Sequence, residues 1–443
     1  MTILLIALLG IAVVVTSILW LKLNPFLGLV LGSLVILLLT PSEKEVASRL
    51  AAGMSEVFQK IGLPIVFASI VGGCLLESGA ATRIVQSIVG VFGMKRLAPS
   101  LSVSAFLMAI PVYFDTVFYL LLPLAKAVAR DKPASYMLSV MAIIVGATMA
   151  HSLVPPTPGP LMVASALQVP MATMMVGGII VGGLVSTIGF FYGVWCSRTM
   201  ILPIHSAQKI ESQATFSTTK LPPVWLSAMP LVVPMAMIVA AEVFLGRQSS
   251  NASAIWKNLG DPTVALLIAA LIGIITLHGV RSKKESQSIV SRSIADAGTI
   301  ILLTCAGGGF GVALKELGVG PAIVGLFPGL KSPTGLLVMA FGTTAIIRAA
   351  QGSATVAMTT TVEIIKPLLA TMDLPFHPVY VALAIGCGSK PFAWMNDSGF
   401  WQVATMTGMT ALQTLKTFSA ALTIMGFCGL VLVLTGSWLL PFK

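Results

Sequence analysis

Asp115, His151, Arg348, Lys390 and Asp397 all stand in stretches that are otherwise apolar. Ionisable groups in such surroundings are costly to keep, and they are read by default as functional. Asp115 lies in Pro111-Val-Tyr-Phe-Asp115-Thr116 with no basic residue near it in sequence. It could pick up and release a proton, or its carboxylate could simply cap a tight turn. His151 opens the run His151-Ser-Leu-Val-Pro155-Pro156-Thr157-Pro158-Gly159-Pro160 and could relay protons or hold that loop in shape. Arg348 precedes Gly352 by one helical turn. Its planar guanidinium fork matches a carboxylate, which makes it the candidate for a substrate's charged group; the alternative is a buried ion pair with Asp397, Glu363 or Asp115. Lys390 and Asp397 are close enough in sequence to pair with each other. Gly352, Ser353, Thr355, Thr157, Asn396 and Ser398 are small or polar, and suit hydrogen bonds to a polyhydroxylated ligand.

Such residues need elements that hold them inside a membrane. Charged side chains make up 9% of the 443 residues, against roughly 25% in an ordinary soluble domain. Hydrophobic residues reach 56% and the mean hydropathy is +0.98. Lipid is therefore the solvent for much of the surface. Thr2–Leu21, Met174–Cys196, Val224–Phe244 and Thr417–Leu439 match the length of about 20 apolar residues that a spanning helix needs. The first of these is too long, and lacks the basic flank, for a cleavable signal peptide. The five cysteines are scattered through apolar segments, with neither metal-ligand spacing nor a disulfide framework. A net charge of +11 reflects cationic cytoplasmic loops rather than a nucleic-acid partner.

The chain also repeats itself. Asn24-Pro25 is matched by Asp261-Pro262, Glu77-Ser-Gly79 by Glu316-Leu-Gly318, Asp115-Thr116-Val117 by Ala354-Thr355-Val356, and Val154 to Gly159 by Trp394 to Gly399. The offset climbs only from 237 (Pro25 to Pro262) to 240 (Gly159 to Gly399). Two homologous halves follow, 1–197 and 223–443, joined by a polar cytoplasmic linker over 198–222. Lys22 at the start of the second span, Arg281/Lys283/Lys284 at the end of its counterpart, and the clusters Arg83/Lys95/Arg96, Lys126/Arg130/Lys132 and Arg198/Lys209/Lys220 mark cytoplasmic loops. They run equivalent helices in opposite directions, so the fold class is an all-α polytopic membrane protein built from two inverted-topology repeats. Glu77 and Glu316, at matching places, are expected to share a structural role near a helix end.

Each half is expected to hold one re-entrant hairpin and one broken transmembrane helix. The hairpins fall at about 101–128, with its tip at Asp115, and at about 334–370, with its tip near Gly352. The broken helices fall at about 135–165, where consecutive prolines remove backbone donors, and at about 376–408. Open backbone at membrane depth is tolerated only where it is buried in protein or lines a cavity. The four interruptions therefore mark the candidate site, and their exposed amides add positive potential for an anion.

The motifs Arg348-Ala-Ala-Gln-Gly-Ser-Ala-Thr-Val-Ala357, Met395-Asn-Asp-Ser-Gly-Phe-Trp401 and His151-x-x-x-Pro-Pro-x-Pro-Gly-Pro160 resemble those of the gluconate permease (GntP) family of proton-coupled sugar-acid transporters, over essentially the whole chain. The resemblance implies proton symport of gluconate or a related hydroxy acid across a bacterial inner membrane. It also implies inverted repeats with paired hairpins and, often, a homodimer with an elevator mechanism, without a cofactor. Asp115-Thr116-Val117 and Thr157 depart from the family pattern at the proposed site, which leaves lactate- or glycerate-like substrates open. A cation/proton antiporter would use Asp115 and Asp397 as ion ligands, but Arg348 repels cations. An intramembrane aspartyl protease needs a Gly-x-Gly-Asp context that neither aspartate has, and no nucleotide-binding Gly-x-x-x-x-Gly-Lys-Ser/Thr motif is present. A transporter, not an enzyme, is expected.

Overall fold

The computed structural model describes residues 2–21, 23–93, 96–129, 135–200, 202, 221–245, 256, 258–318, 332–369, 372–395 and 397–442. Most of the 198–222 linker lies outside these residues, as do Lys22, Lys95, Arg130, Lys132 and Asn396. Every regular element among the described residues is helical. In chain order they are α1 (Thr2–Leu19), α2 (Pro25–Leu39), α3 (Val46–Glu77), α4 (Ala80–Phe92), α5 (Leu97–Met108), α6 (Phe114–Ala129), α7 (Ser135–Leu153), α8 (Pro158–Ala166) and α9 (Met171–Thr199). There follow α10 (Val224–Leu245), α11 (Pro262–His278), α12 (Lys283–Glu316), α13 (Pro333–Gln351), α14 (Ala354–Leu369), α15 (Val379–Gly388), α16 (Ser398–Thr407) and α17 (Ala411–Leu439), the last with a π-helical turn at Leu415–Ser419. Five helical runs among the described residues are long and apolar enough to cross a bilayer, and a sixth if the bent α3 counts as one span.

Local chemistry explains most boundaries. α2 and α11 both begin with proline, where a missing N–H costs nothing. Each is capped by the residue before it: Asn24 accepts from the Phe26 N–H at 2.9 Å and Asp261 from the Thr263 N–H at 2.8 Å. α3 bends by 50° between Val46–Gln59 and Ile61–Glu77. Pro64 lies just beyond; its ring clashes with the carbonyl of the residue four back, which is where the bend falls. α12 starts with a capping box in which Ser282 and Glu285 exchange hydrogen bonds. The same contact to Ser282 holds the exposed Glu285 carboxyl below its ordinary value.

α3 and α12 pack along much of their length, and glycine permits it. A Cβ on Gly53 would lie 3.0 Å from the Gly308 carbonyl oxygen and from the Gly309 Cα. Close approach through small residues is how helices associate where no hydrophobic force drives them together. An arginine–glutamate pair closes each end of this antiparallel couple. Arg49 Nε donates to Glu316 Oε2 at 2.6 Å, and its Nη1 also donates to the carbonyls of Leu37 and Thr40. At the other end, Arg281 Nη2 stands 3.7 Å from Glu77 Oε2. Glu77 and Glu316 are the last residues of α3 and α12, so both sit at helix ends.

The core is deepest around two helices. Every residue from 139 to 150 in α7 is buried, and so is every residue of α15. α7 packs against α5 and α9, α15 against α13 and α17. Both central helices stop abruptly, at Leu153 and at Gly388, and the chain resumes as the short α8 and α16. Two further interruptions separate α5 from α6 and α13 from α14.

Candidate functional site

The N-termini of α6, α8, α14 and α16 meet in pairs, and glycines set how closely. A Cβ on Gly399, near the start of α16, would come within 3.2 Å of the Phe114 ring at the start of α6. A Cβ on Gly159, near the start of α8, would come within 2.9 Å of Met358 Sδ and 3.8 Å of Thr355 Cα in α14. Each N-terminus presents backbone amides with no intrahelical partner and carries a partial positive charge.

Arg348, in the last turn of α13, ties the two pairs together. Its Nη1 donates to the Gly352 carbonyl and its Nη2 to Asp397 Oδ2. Gly352 caps α13 at φ 78°, a left-handed conformation that glycine adopts without steric cost; the turn brings its carbonyl back to the guanidinium. Asp397 spends its other oxygen on the α16 N-cap, where Oδ1 accepts from the Gly399 N–H at 2.7 Å. Both members of the ion pair are buried, at 4% and 5% exposure. Asp397 therefore pairs with Arg348 rather than with Lys390. Phe392, between Lys390 and Asp397, holds φ at 60°, a strained backbone state of the kind that clusters at functional sites.

The remaining candidates divide into those brought inward and those left on the rim. Lys390 is 3% exposed, and Arg348 and Asp397 are its charged neighbours. Arg348 and Lys390 both lie within electrostatic reach of His151. The His151 ring meets Tyr113 edge-on, with centroids 5.7 Å apart, and its Nδ1 is buried without a partner. Asp115 is exposed at the start of α6, within electrostatic reach of Asp397. Its backbone carbonyl accepts from Gln402 Nε2 at 2.6 Å. Thr157 is buried and turns its hydroxyl back to the Val154 carbonyl at 2.8 Å, so that proton is already used. Ser353 Oγ accepts from the Val356 N–H at 3.3 Å, and Thr355 is half-buried beside it. Ser398 enters as the first residue of α16, and Asn396 lies outside the described residues.

Two contributors escape a reading of the sequence. Tyr113 faces His151 across the first interruption, and its only signal was a hydroxyl two residues before Asp115. Gln402 bridges α16 to α6 and leaves its Oε1 buried without a partner. With Arg348 Nε and His151 Nδ1, that makes three unsatisfied buried polar atoms around one site, where native interiors leave few. Among the described residues no cluster of three or more histidine, cysteine or carboxylate side chains could hold a metal ion. A cavity of about 140 Å³ lies further along α14 and α8, with Glu56, Lys315, Glu363 and Lys366 in its lining.

Comparison with known proteins bears on what the chain is. The model of the GntP family permease matches residues 1–439. A gluconate permease of Zymomonas mobilis is 31% identical over 97% of this chain and 96% of its own. One of Pseudomonas aeruginosa is 30% identical over 97% and 96%. An L-idonate transporter of Escherichia coli is 27% identical over 96% and 97%. Among solved structures, Neisseria gonorrhoeae MtrF, described as one of a class of antimetabolite efflux pumps, superposes with a TM-score of 0.65 at 14% identity, covering 92% of this chain and 94% of that one. The Alcanivorax borkumensis YdaH transporter gives 0.60 at 15% identity over 94% and 97%. These two speak to the fold alone.

Proposed function

The chain belongs to the GntP family of permeases, a multi-pass membrane transporter of gluconate type and not an enzyme, and on that premise we propose that it is a proton-coupled symporter of gluconate or a related hydroxy acid in a bacterial inner membrane. One observation carries the coupling. Two cations, Arg348 and Lys390, and two carboxylates stand in the cluster: Asp397 pairs with Arg348, and Asp115, at the rim, lies within electrostatic reach of Asp397. A monoanion entering alone would leave that cluster, and the low-dielectric interior around it, with one uncompensated negative charge. A monoanion entering with one proton keeps it neutral. Asp115, exposed at the rim, and His151, with its free Nδ1, are the proton path. Arg348, Gly352, Ser353, Thr355, Thr157 and Asp397 surround the substrate, with four helix N-termini adding positive potential; Asn396 and Ser398 are the remaining contacts expected from the sequence.

Uptake of labelled gluconate into proteoliposomes tests this reading. For one coupled proton, an inward gradient of one pH unit is expected to drive about tenfold accumulation. Uptake that ignores the gradient would remove the proton coupling. No uptake of gluconate or of shorter hydroxy acids, into vesicles containing folded protein, would remove the substrate class.

Two inverted repeats, 1–197 and 223–443, belong to the same reading, with α5–α6 and α13–α14 as re-entrant hairpins. The matched caps at Asn24 and Asp261, and the arginine–glutamate closures at both ends of α3 and α12, support it. So does the crossed pairing in which α14 of the second half meets α8 of the first, while α6 of the first meets α16 of the second. Single cysteines placed in 22–25, before α2, and in 281–292, after α11, are expected to label from the same face of the membrane. Labelling from opposite faces would exclude the inversion.

A further inference from the structure

Resting on the reading above, the inference concerns Lys390. It follows Gly388 by two residues, in the bend where α15 ends, and it is 3% exposed. Buried charges are ordinarily paired and hydrogen-bonded. Among the described residues, Lys390 Nζ takes part in no hydrogen bond and no ion pair. The obvious partner is already engaged: Asp397 gives one oxygen to Arg348 and the other to the Gly399 N–H. The charged or titratable groups acting on Lys390 are Arg348, Asp397 and Cys387, and it acts in turn on His151. Arg348, by contrast, has both terminal nitrogens occupied and keeps only Nε free.

We propose that Lys390 is the direct ligand of the transported anion's carboxylate, giving it charge-assisted hydrogen bonds from Nζ. Arg348, locked to Asp397 and Gly352, acts mainly as the positioning residue that ties α13 to the start of α16. A lysine suits the role better than a second arginine would. Its ammonium is a compact point charge with three rotatable donors on a flexible stem, so it can follow a carboxylate whose hydroxylated chain is held elsewhere. Once Asp115 has taken up the coupled proton, Lys390 is the one cation of the cluster left without a counter-charge, and this sets the charge of the ligand. A monocarboxylate supplies the single negative charge that Lys390 lacks, whereas a dicarboxylate would bring one too many.

The test is gluconate binding to the purified full-length protein by titration calorimetry, comparing wild type with Lys390→Gln and Lys390→Arg, together with the melting temperature of each without ligand. Loss of the charged contact is expected to weaken binding by about 100-fold in Lys390→Gln, and Lys390→Arg is expected to restore most of it. Without ligand, Lys390→Gln is expected to melt at or above the wild-type temperature, because it removes a buried charge that has no partner. Equal binding by wild type and Lys390→Gln would overturn the proposal while leaving the transport reading intact. So would a Lys390→Gln variant that unfolds or melts well below wild type, since that would make Lys390 a structural residue. Absence of gluconate binding in the wild type itself would overturn both.

Discussion

Replacing Asp397 by alanine is expected to abolish uptake and to cost roughly 3–5 kcal/mol of stability, the range for breaking a buried ion pair by removing one partner. Arg348 and Asp397 are 4% and 5% exposed, so water cannot take over for the missing carboxylate. Arg348→Ala should cost a similar amount, because it strands Asp397 instead. The double variant Arg348→Ala/Asp397→Ala is expected to recover much of the lost stability, since neither charge is then left alone, yet to remain without transport. That non-additivity is what a directly coupled pair gives. Asp397 also caps α16 through Gly399, and the two duties can be separated. Asparagine caps a helix about as well as aspartate, so Asp397→Asn keeps the cap and removes only the charge. If Asp397→Asn is as stable as wild type, the cap and not the ion pair dominates. Melting curves in detergent and uptake by the same preparations give both readouts.

The pattern of elements that builds this site is legible in the sequence to the extent that it depends on backbone chemistry. The run from Val154 to Gly159 cannot continue a helix, because proline lacks the N–H, and α7 indeed stops at Leu153. Gly352 can cap α13 at positive φ without cost, and the interruption expected near it falls where α13 ends at Gln351. Glu77 and Glu316 could be put at helix ends, but their partners Arg281 and Arg49 could not be chosen. Nothing local says which of several arginines a distant glutamate will meet. The same limit applied at the centre. Arg348, Lys390 and Asp397 could all be picked out as charges in apolar surroundings, while which cation takes the carboxylate depends on three-dimensional packing around Gly352 and Gly399. Lys390, separated from Asp397 by only six residues, and Arg348 both stood as partners for that carboxylate. The structure gives Asp397 to Arg348 and leaves Lys390 alone.

That arrangement makes Asp115 the residue on which coupling should fail most cleanly. Its side chain is exposed at the start of α6, and only its backbone carbonyl is held, by Gln402. Asp115→Asn therefore preserves the bond to α16 and nearly all of the shape, and it removes one titratable carboxylate. If Asp115 is the group that takes the proton, the variant carries a permanently neutral side chain, as though always loaded. It should still exchange gluconate across the membrane, within a few-fold of the wild-type rate. It should no longer concentrate gluconate. Under an inward gradient of one pH unit the accumulation ratio is expected to fall from about ten to about one. Counterflow, in which unlabelled substrate inside drives labelled substrate in, isolates exchange from coupling in the same vesicles. Full accumulation by Asp115→Asn would move the proton to His151, whose unpartnered Nδ1 is the other open position in the cluster. Loss of exchange as well as accumulation would mean that Asp115 holds the substrate rather than the proton.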